Sequence, residues 1–382
     1  MHNYYLANAC SQLGHRVSII ARRPSRDVSA RSRAGGVSVL RVSTPNFYRY
    51  RRVPLTGRHH RVLAALTCSW QVCRTLASLH REEPVDVVEF TDVNAEGLFW
   101  RQGCGRTLAV RCQTPAFVLA QYYTAAELAY DPTLLGRAER QVIRRAEILF
   151  APSRDMAAVI STACQLAPDR FHVIPNALDT QLFSPRVPER ESREPTILFV
   201  GRLERAKGIE VLAQAIPQVC QQVPSVRFVI IGTDRPRPPN GSHRQFLEQS
   251  LAEYVASGHV ELRGAISQPE LIHAYHRADI GVVPSLLYES FSYTCAQTMA
   301  CGLPVVASRI GGIPETLAEG ECGVLVAPGS PRDLSEALIY LCHDPDKRRA
   351  LGAAGRQRAV TAFSSETVAR RNLEVYEQAL AS

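Results

Sequence analysis

Two positively charged side chains follow an apolar segment in the second half of the chain. The segment TILFVG (196–201) leads straight into RLERAKG, so Arg202 and Lys207 lie just past the end of a predicted strand. Arginine presents a planar fork of donors and lysine a compact point charge, and a diphosphate accepts bonds from both. Taken alone, the motif fits an ordinary surface loop almost as well.

A second group of polar residues lies in PSLLYESFSYTCAQTMACGLPVVAS (284–308). Glu289 occupies a loop, a helix is predicted from about Ser292, and Gln297 stands eight positions after Glu289. A helix N-terminus offers free N–H groups and a partial positive charge to phosphate oxygens, and Glu289 and Gln297 can face one ligand. The alternatives are that Glu289 only complements the helix dipole and that Gln297 is a polar residue at the edge of the core.

A third motif, RIGGIPE (309–315), pairs two glycines after a strand and sets Glu315 early in the next helix. Paired glycines allow a ligand to approach the backbone closely. A simple tight turn explains this motif equally well.

The elements around these motifs follow a regular order. Strand-like and helix-like segments alternate along both halves of the chain, which predicts parallel β-α-β units. The segment SPRVPERESREP (184–195) is rich in proline and charge and predicts a linker between the halves. The predicted fold class is therefore α/β, with two Rossmann-like parallel-sheet domains facing a central cleft, where ligands bind beyond the carboxyl ends of the strands.

The composition agrees with a folded chain of two domains. Its 382 residues are 46% hydrophobic and 21% charged, which excludes disordered, collagen-like and coiled-coil classes. No apolar run approaches the ~18 residues that span a bilayer, and the N-terminus lacks the order of a signal peptide. The 11 cysteines include no C-x-x-C pair, so reduced, buried thiols are predicted and a metal site is not.

Positive charge is concentrated in the first part of the chain. Through His80 there are thirteen arginines and a single acid, Asp27, whereas from Glu191 onward twenty-one acids face nineteen cations. Two interpretations stay open: a solvated basic surface, or a surface that meets anionic lipid headgroups or an acidic acceptor. Nucleic acid is not a predicted partner, because no recognised binding module is present. The predicted location is cytoplasmic, with peripheral contact at the inner membrane face under the second interpretation.

In this order and spacing, the motifs resemble the family 4 retaining glycosyltransferases (glycosyl transferases group 1) with the GT-B fold. The resemblance runs over nearly the whole chain and includes GHRVSII, VIPNALDTQLFSP, GRLERAKG, YESFSYTC, MACGLPVVAS and GGIPE. It implies an N-terminal acceptor domain over 1–187, a linker over 188–195 and a donor domain over 196–361. A final helix over 362–382 would return toward the N-terminal domain.

The activity implied by this resemblance is that of a hexosyltransferase. A sugar would move from a UDP- or GDP-linked donor to a glycan, lipid or small-molecule acceptor with retained configuration. Arg202 and Lys207 would hold the diphosphate, Glu289 the sugar and Gln297 the ribose hydroxyls, and the first three are the candidate catalytic residues. No metal and no cofactor is implied, because the cations and the helix dipole would neutralise the departing diphosphate. The remaining implied donor contacts are Phe291, Ser292, Tyr293 and Thr294 at the diphosphate, and Gly232 and 264–266 near the nucleoside.

Three departures from the family pattern bear on activity. Gln297 stands where the family usually has a second glutamate, but it keeps an acceptor oxygen. Gln113, on the acceptor side, stands where the family often has a histidine and cannot act as a general base. The usual first strand and glycine-rich loop are absent before the opening helix, so either apolar sheet edges are exposed or the start codon is assigned too late. The alternative hypothesis is a catalytically impaired relative that binds a sugar nucleotide or glycan as a partner or scaffold.

Overall fold

The computed structural model describes residues 2–25, 27–43, 60–101, 106–123, 132–185, 195–237 and 241–381. The chain forms two units, Met1–Ala177 with Ser365–Ser382, and Leu178–Ser364. The predicted linker over 188–195 lies outside the described residues except for Pro195. Residues 178–185 belong to the second unit and not to the first, because the N–H of Leu178 donates to the carbonyl of Phe363 at 2.8 Å and Arg356 donates to the carbonyl of Thr180 at 2.9 Å.

The first unit contains two separate sheets among its described residues. Its strands are β1 (Ser18–Arg22), β2 (Arg31–Ala34), β3 (Val37–Val42), β4 (Val87–Thr91), β5 (Thr107–Arg111), β6 (Ile148–Ala151) and β7 (Phe171–Val173). One sheet has the order β1-β3-β2 and the other the parallel order β4-β5-β6-β7. The sequence predicts that the usual first strand is absent, and β1 and β4 stand at the ends of the two sheets in this unit.

Helices pack around these strands. They are α1 (His2–Gln12), α2 (His60–Glu82), α3 (Ala116–Leu119), α4 (Pro132–Arg145) and α5 (Arg154–Cys164). The strands β5 and β6 are buried along their whole length, as expected for parallel strands covered on both faces. The helix α5 begins at the N-cap Ser153, whose Oγ accepts a bond from the N–H of Met156 at 3.2 Å.

The second unit has one sheet of six parallel strands, in the order β10-β9-β8-β11-β12-β13. In chain order the strands are β8 (Thr196–Val200), β9 (Arg227–Ile231), β10 (Val260–Arg263), β11 (Ile280–Val283), β12 (Val305–Ser308) and β13 (Val324–Val326). The helices are α6 (Ile209–Gln222), α7 (His243–Ser250), α8 (Ala252–Ala256), α9 (Gln268–Arg277), α10 (Tyr293–Ala300), α11 (Ile313–Thr316), α12 (Pro331–His343) and α13 (Pro345–Arg358). Because all six strands are parallel, the loops that follow them lie at one edge of this sheet, which is called the carboxyl edge below.

The last helix, α14 (Ser365–Ala381), is part of the first unit. It follows a π-helical turn over Ala359–Phe363 and packs against α1 and β6. Val368, Ala369 and Asn372 on its inner face are buried. The first unit is therefore built from both ends of the chain.

The helix α2 is the one helix, among those in the described ranges, that is long and apolar enough to cross a membrane by length and composition. The sequence shows no uninterrupted apolar run of that length, because single polar residues separate the apolar ones in α2. A single helix of this kind is weak evidence for a membrane span, and α2 also has contacts within the first unit. It packs against β1, β3 and α4 in the first unit.

Candidate active site

The predicted residues Lys207 and Glu289 form an ion pair at the carboxyl edge. Lys207 ends a short 3-10 turn after β8, and its Nζ contacts Oε1 of Glu289 in the loop after β11. The two side chains are 27% and 14% exposed. The hydroxyl of Ser285 donates to the same Oε1 at 3.0 Å. Because β8 and β11 are neighbours in the sheet, the two loops meet although the residues are distant in sequence.

Backbone contacts fix the two loops against each other. The N–H groups of Leu286 and Leu287 both donate to the carbonyl of Ala206, at 3.0 and 3.3 Å. Gly208 has φ +67°, and a Cβ at this position would lie 1.7 Å from the carbonyl oxygen of Pro284. Only glycine therefore fits the turn that follows Lys207.

The paired glycines of RIGGIPE support Glu289 from its backbone side. The N–H of Gly312 donates to the carbonyl of Glu289 at 2.7 Å. Gly311 has φ +55°, and a Cβ there would lie 2.4 Å from the same carbonyl oxygen. The turn at Gly311 and Gly312 therefore packs directly against the backbone of Glu289, the candidate sugar-binding residue.

Arg202 lies on the same loop as Lys207 but is held differently. Its Nη2 is 2.9 Å from Oε1 of Glu204, in an ion pair that does not have hydrogen-bond geometry, and half of its side chain is exposed. Within the described residues, Arg202 forms no ion pair with Glu289. The structure thus brings Lys207 and Glu289 together and leaves Arg202 at the rim of the loop.

The N-terminus of α10 stands next to Glu289 in the chain. Ser292 is its N-cap, and its Oγ accepts a bond from the N–H of Cys295 at 3.3 Å. The hydroxyl of Thr294 donates to the carbonyl of Val200 at 3.2 Å, which ties the first turn of α10 to the end of β8. Phe291 packs edge-on against Tyr293 with ring centroids 5.3 Å apart. The N-terminus of a helix carries a partial positive charge that favours an anion.

Gln297 faces the interior of the second unit. It is 4% exposed, and its Oε1 accepts a bond from the hydroxyl of Tyr275 at 3.2 Å. Burial raises the pKa of Tyr275 far above its ordinary value, so this hydroxyl stays a donor. The predicted contact of Gln297 with ribose stays a prediction.

The predicted nucleoside contacts lie at the ends of neighbouring strands. Gly232 follows β9, its N–H is 3.4 Å from the carbonyl of Arg263, and a Cβ on it would lie 1.6 Å from the carbonyl oxygen of Gly201. Residues 264–266 follow β10. Both therefore share the carboxyl edge with Lys207 and Glu289.

In the first unit, the partly buried Gln113 belongs to a polar group that the sequence pattern did not reveal. Its side-chain amide and that of Asn176 bond to each other twice, at 3.0 and 3.1 Å. The N–H of Gln113 donates to both carboxylate oxygens of Asp92 at 3.0 Å. Asn176 lies in the segment VIPNALDTQLFSP, one of the motifs that carry the family resemblance. Its contact with Gln113 is visible only in the fold.

Two buried carboxyl groups lie in this region. Asp92 and Glu139 are both fully buried. Burial raises the pKa of Asp92 to about 7 against the opposing effect of its N–H donors. Burial and the charge of Asp92 raise the pKa of Glu139 to about 8. Glu139 accepts from the N–H groups of Asn94 at 3.0 Å and Ala116 at 2.8 Å, so it ties the turn that follows β4 to the start of α3.

A further buried network connects α14 to the sheet. Arg111 is fully buried and forms a bidentate pair with Glu89 at 2.9 and 3.0 Å. The hydroxyl of Tyr376 donates to Glu89 at 2.6 Å, and Oδ1 of Asn372 accepts from Arg111. Within the described ranges, no group of three or more His, Cys, Asp or Glu side chains is arranged to hold a metal ion.

Comparison with known families and proteins gives matches along most of the chain. Residues 1–182 match the family described as Glycosyltransferase Family 4, and residues 181–358 match that described as Glycosyl transferases group 1. An MMP alpha-(1->4)-mannosyltransferase from Mycolicibacterium hassiacum is 31% identical over 322 residues, which cover 82% of this chain and 75% of the relative. A D-inositol 3-phosphate glycosyltransferase from Xylanimonas cellulosilytica is 30% identical over 347 residues, which cover 85% and 80%.

The fold is shared with solved structures. The sucrose-phosphate synthase of Thermosynechococcus elongatus superposes with a TM-score of 0.78 at 25% identity, covering 98% of this chain and 92% of that chain.

Proposed function

Because the chain belongs to glycosyltransferase family 4 and is a glycosyltransferase with the GT-B fold, we propose that it transfers a hexosyl group from a nucleotide-sugar to an acceptor with retained configuration. The proposal rests on the ion pair between Lys207 and Glu289 beside the N-terminus of α10. A cation, a carboxylate and a helix N-terminus are the groups that a sugar diphosphate requires in one place.

Under this proposal each group has its own task. In the free protein Glu289 neutralises Lys207. When the donor binds, the diphosphate takes Lys207 as its partner and the carboxylate of Glu289 becomes free to accept bonds from sugar hydroxyls. As the bond from sugar to diphosphate breaks, negative charge grows on the leaving group, and Lys207, Arg202 and the first turn of α10 stabilise it. This set of groups supports a reaction without a metal ion or a cofactor.

The donor and the acceptor are the finer part of the proposal. We propose a UDP- or GDP-linked hexose as donor. The two relatives named above act on mannosyl groups and on D-inositol 3-phosphate, so a small phosphorylated polyol or sugar is the first acceptor to test. Cytoplasmic location with peripheral membrane contact is also part of the proposal, because of the basic first part of the chain.

The test is a panel of UDP- and GDP-hexoses, read by thermal shift and by slow release of free nucleotide. The true donor should raise the melting temperature, because binding to the folded state stabilises it. D-inositol 3-phosphate should then accelerate release, and the product should keep the anomeric configuration of the donor. A protein that binds a nucleotide-sugar but never releases nucleotide, with any acceptor, would contradict transferase activity.

A further inference from the structure

A groove of about 390 Å³ lies in the first unit, between α2 and the antiparallel ladder of β2 and β3. Arg31 from β2, Arg41 from β3 and Arg74 from α2 line it, and Trp70 stands at its side. None of the predicted donor or acceptor residues takes part in it. The groove is therefore a feature that the proposed transferase chemistry does not use.

Among the residues that the structure describes, no acidic side chain compensates the charge in this groove. No aspartate or glutamate lines it, and none of its three arginines forms an ion pair within the described ranges. Arg41 donates instead to the hydroxyl of Ser32 at 2.8 Å and to the carbonyl of Ser29 at 3.2 Å, which holds its guanidinium in place without neutralising it. Three cations around one depression create a positive potential that favours an anion with several oxygens.

The outer face of α2 adds exposed apolar side chains to this charge. Leu63 and Trp70 stand seven positions apart, on one stripe of the helix, and are 37% and 50% exposed. Arg74 continues the stripe, and its guanidinium lies 5.5 Å from the centroid of the Trp70 ring. Tryptophan with an apolar body and a polar N–H, next to arginine, is the pair of residues enriched where helices meet the headgroup layer of a bilayer.

Resting on the peripheral membrane contact of the proposed function, we propose that the groove and the outer face of α2 form a docking surface for bilayers that contain anionic phospholipids. A headgroup phosphate lies among Arg31, Arg41 and Arg74, and the ring of Trp70 enters the headgroup layer. Charge complementarity selects the anion, and the exposed stripe of Leu63 and Trp70 selects a bilayer over a soluble phosphate, which would leave those side chains in water. The helix lies on the surface and does not cross it, because its other face packs against β1 and β3.

Binding to vesicles tests this surface. Wild-type protein should co-sediment with vesicles of phosphatidylcholine and phosphatidylglycerol in equal parts, and not with phosphatidylcholine alone. Each arginine near the membrane contributes about a five-fold change in partitioning, so the triple variant Arg31→Gln, Arg41→Gln, Arg74→Gln should bind about 10²-fold more weakly. The attraction should fall when salt is raised above ~0.1 M, where charges more than about 10 Å apart are screened.

A matched control separates this surface from net charge. The triple variant Arg244→Gln, Arg332→Gln, Arg349→Gln removes the same charge from exposed, ion-paired positions of the second unit and should bind vesicles like the wild type. Equal loss in both triple variants would overturn the proposal, since net charge alone would then explain binding. Circular dichroism should show that both variants are folded.

Tryptophan emission gives an independent reading. The chain has two tryptophans, and Trp100 is 5% exposed, so a blue shift on addition of vesicles reports Trp70. The shift should vanish in Trp70→Phe. An unchanged wild-type emission on bound vesicles would overturn the assignment of α2 to the interface.

Soluble phosphate is the competing ligand. If glycerol 3-phosphate binds with dependence on the three arginines while anionic vesicles do not bind, the bilayer assignment is wrong. Nucleotide release in solution is measured on the same variants and should be unchanged, because none of them lies at the donor site. Vesicle binding can therefore fail while transfer succeeds, or the reverse, and the two outcomes are distinguishable.

Discussion

Removal of the Lys207 charge is the sharpest test of the candidate site. Lys207→Met keeps most of the length and packing of the side chain but loses the cation. In the wild type, Nζ of Lys207 contacts Oε1 of Glu289, and the hydroxyl of Ser285 donates to the same oxygen. The side chain of Glu289 is only 14% exposed. The variant therefore removes a phosphate partner and also leaves a poorly solvated negative charge beside the diphosphate.

The magnitude follows from these two effects. Loss of one preorganised group that stabilises charge in the transition state costs about 10²–10³ in rate, or about 2.7–4 kcal/mol. Glu289→Gln should cost a similar factor through weaker bonds to the sugar. The two losses should not add, because in the double variant no uncompensated carboxylate faces the diphosphate, and contacting pairs couple by about 0.5–3 kcal/mol.

The assay is nucleotide release from the donor that the panel identifies, measured as kcat/KM for wild type, both single variants and the double variant. The chain supplies its own control, because its only other lysine, Lys347, lies exposed on α13. Lys347→Met should leave kcat/KM unchanged. If Lys207→Met stays within a few-fold of the wild type while folded, the ion pair is structural and the donor diphosphate binds elsewhere.

Three further outcomes are expected. Gly208→Ala should lower the melting temperature sharply, since the new Cβ would lie 1.7 Å from the carbonyl oxygen of Pro284. Its control is Gly258→Ala, which should cost only about 1 kcal/mol of backbone strain, because Gly258 has φ +80° but open space around it. The free energy of unfolding should fall as the pH rises from about 4 toward 7, because burial raises the pKa of Asp92 to about 7. In this range the folded state holds a proton that the unfolded state has released. The melting temperature of Asp92→Asn, measured across the same range, should depend less on pH than that of the wild type. Tyr376→Phe removes the 2.6 Å bond to Glu89 and should cost about 1.5–3 kcal/mol in chemical unfolding, whereas Tyr340→Phe, at a position 49% exposed, should be neutral.

The pairing at the carboxyl edge was accessible from the sequence for a physical reason. Lys207 and Glu289 each follow an apolar strand, and parallel strands bring their carboxyl ends to one edge. The glycine motif 311–312 was visible as a turn, but the partner of that turn, the backbone of Glu289, was not. The order of strands in the sheet decides which loops contact each other, and the local sequence does not determine that order.

Buried polar partnerships were beyond the reach of pattern analysis. Gln297 and Tyr275, or Gln113 and Asn176, stand on separate elements, and each meets its partner only after packing sets the register of helices and strands. The short strand β2 was missed because its sequence, RSRA, carries no apolar alternation, and it pairs with β3 in the antiparallel sense. Such elements are held by a neighbour and not by their own propensity.

The position of α14 has a consequence for how the protein is made. A ribosome delivers the whole second unit before the residues that complete the first one, so the nascent first unit waits without the partners that Tyr376 and Asn372 give to Glu89 and Arg111. Arg111 then sits at the end of a buried strand with part of its hydrogen bonding unmet until α14 has been synthesised. We expect the second unit to fold during synthesis and the first unit to become complete only after α14 has left the ribosome. Until then, the incomplete first unit is the part of the chain that chaperones are expected to bind.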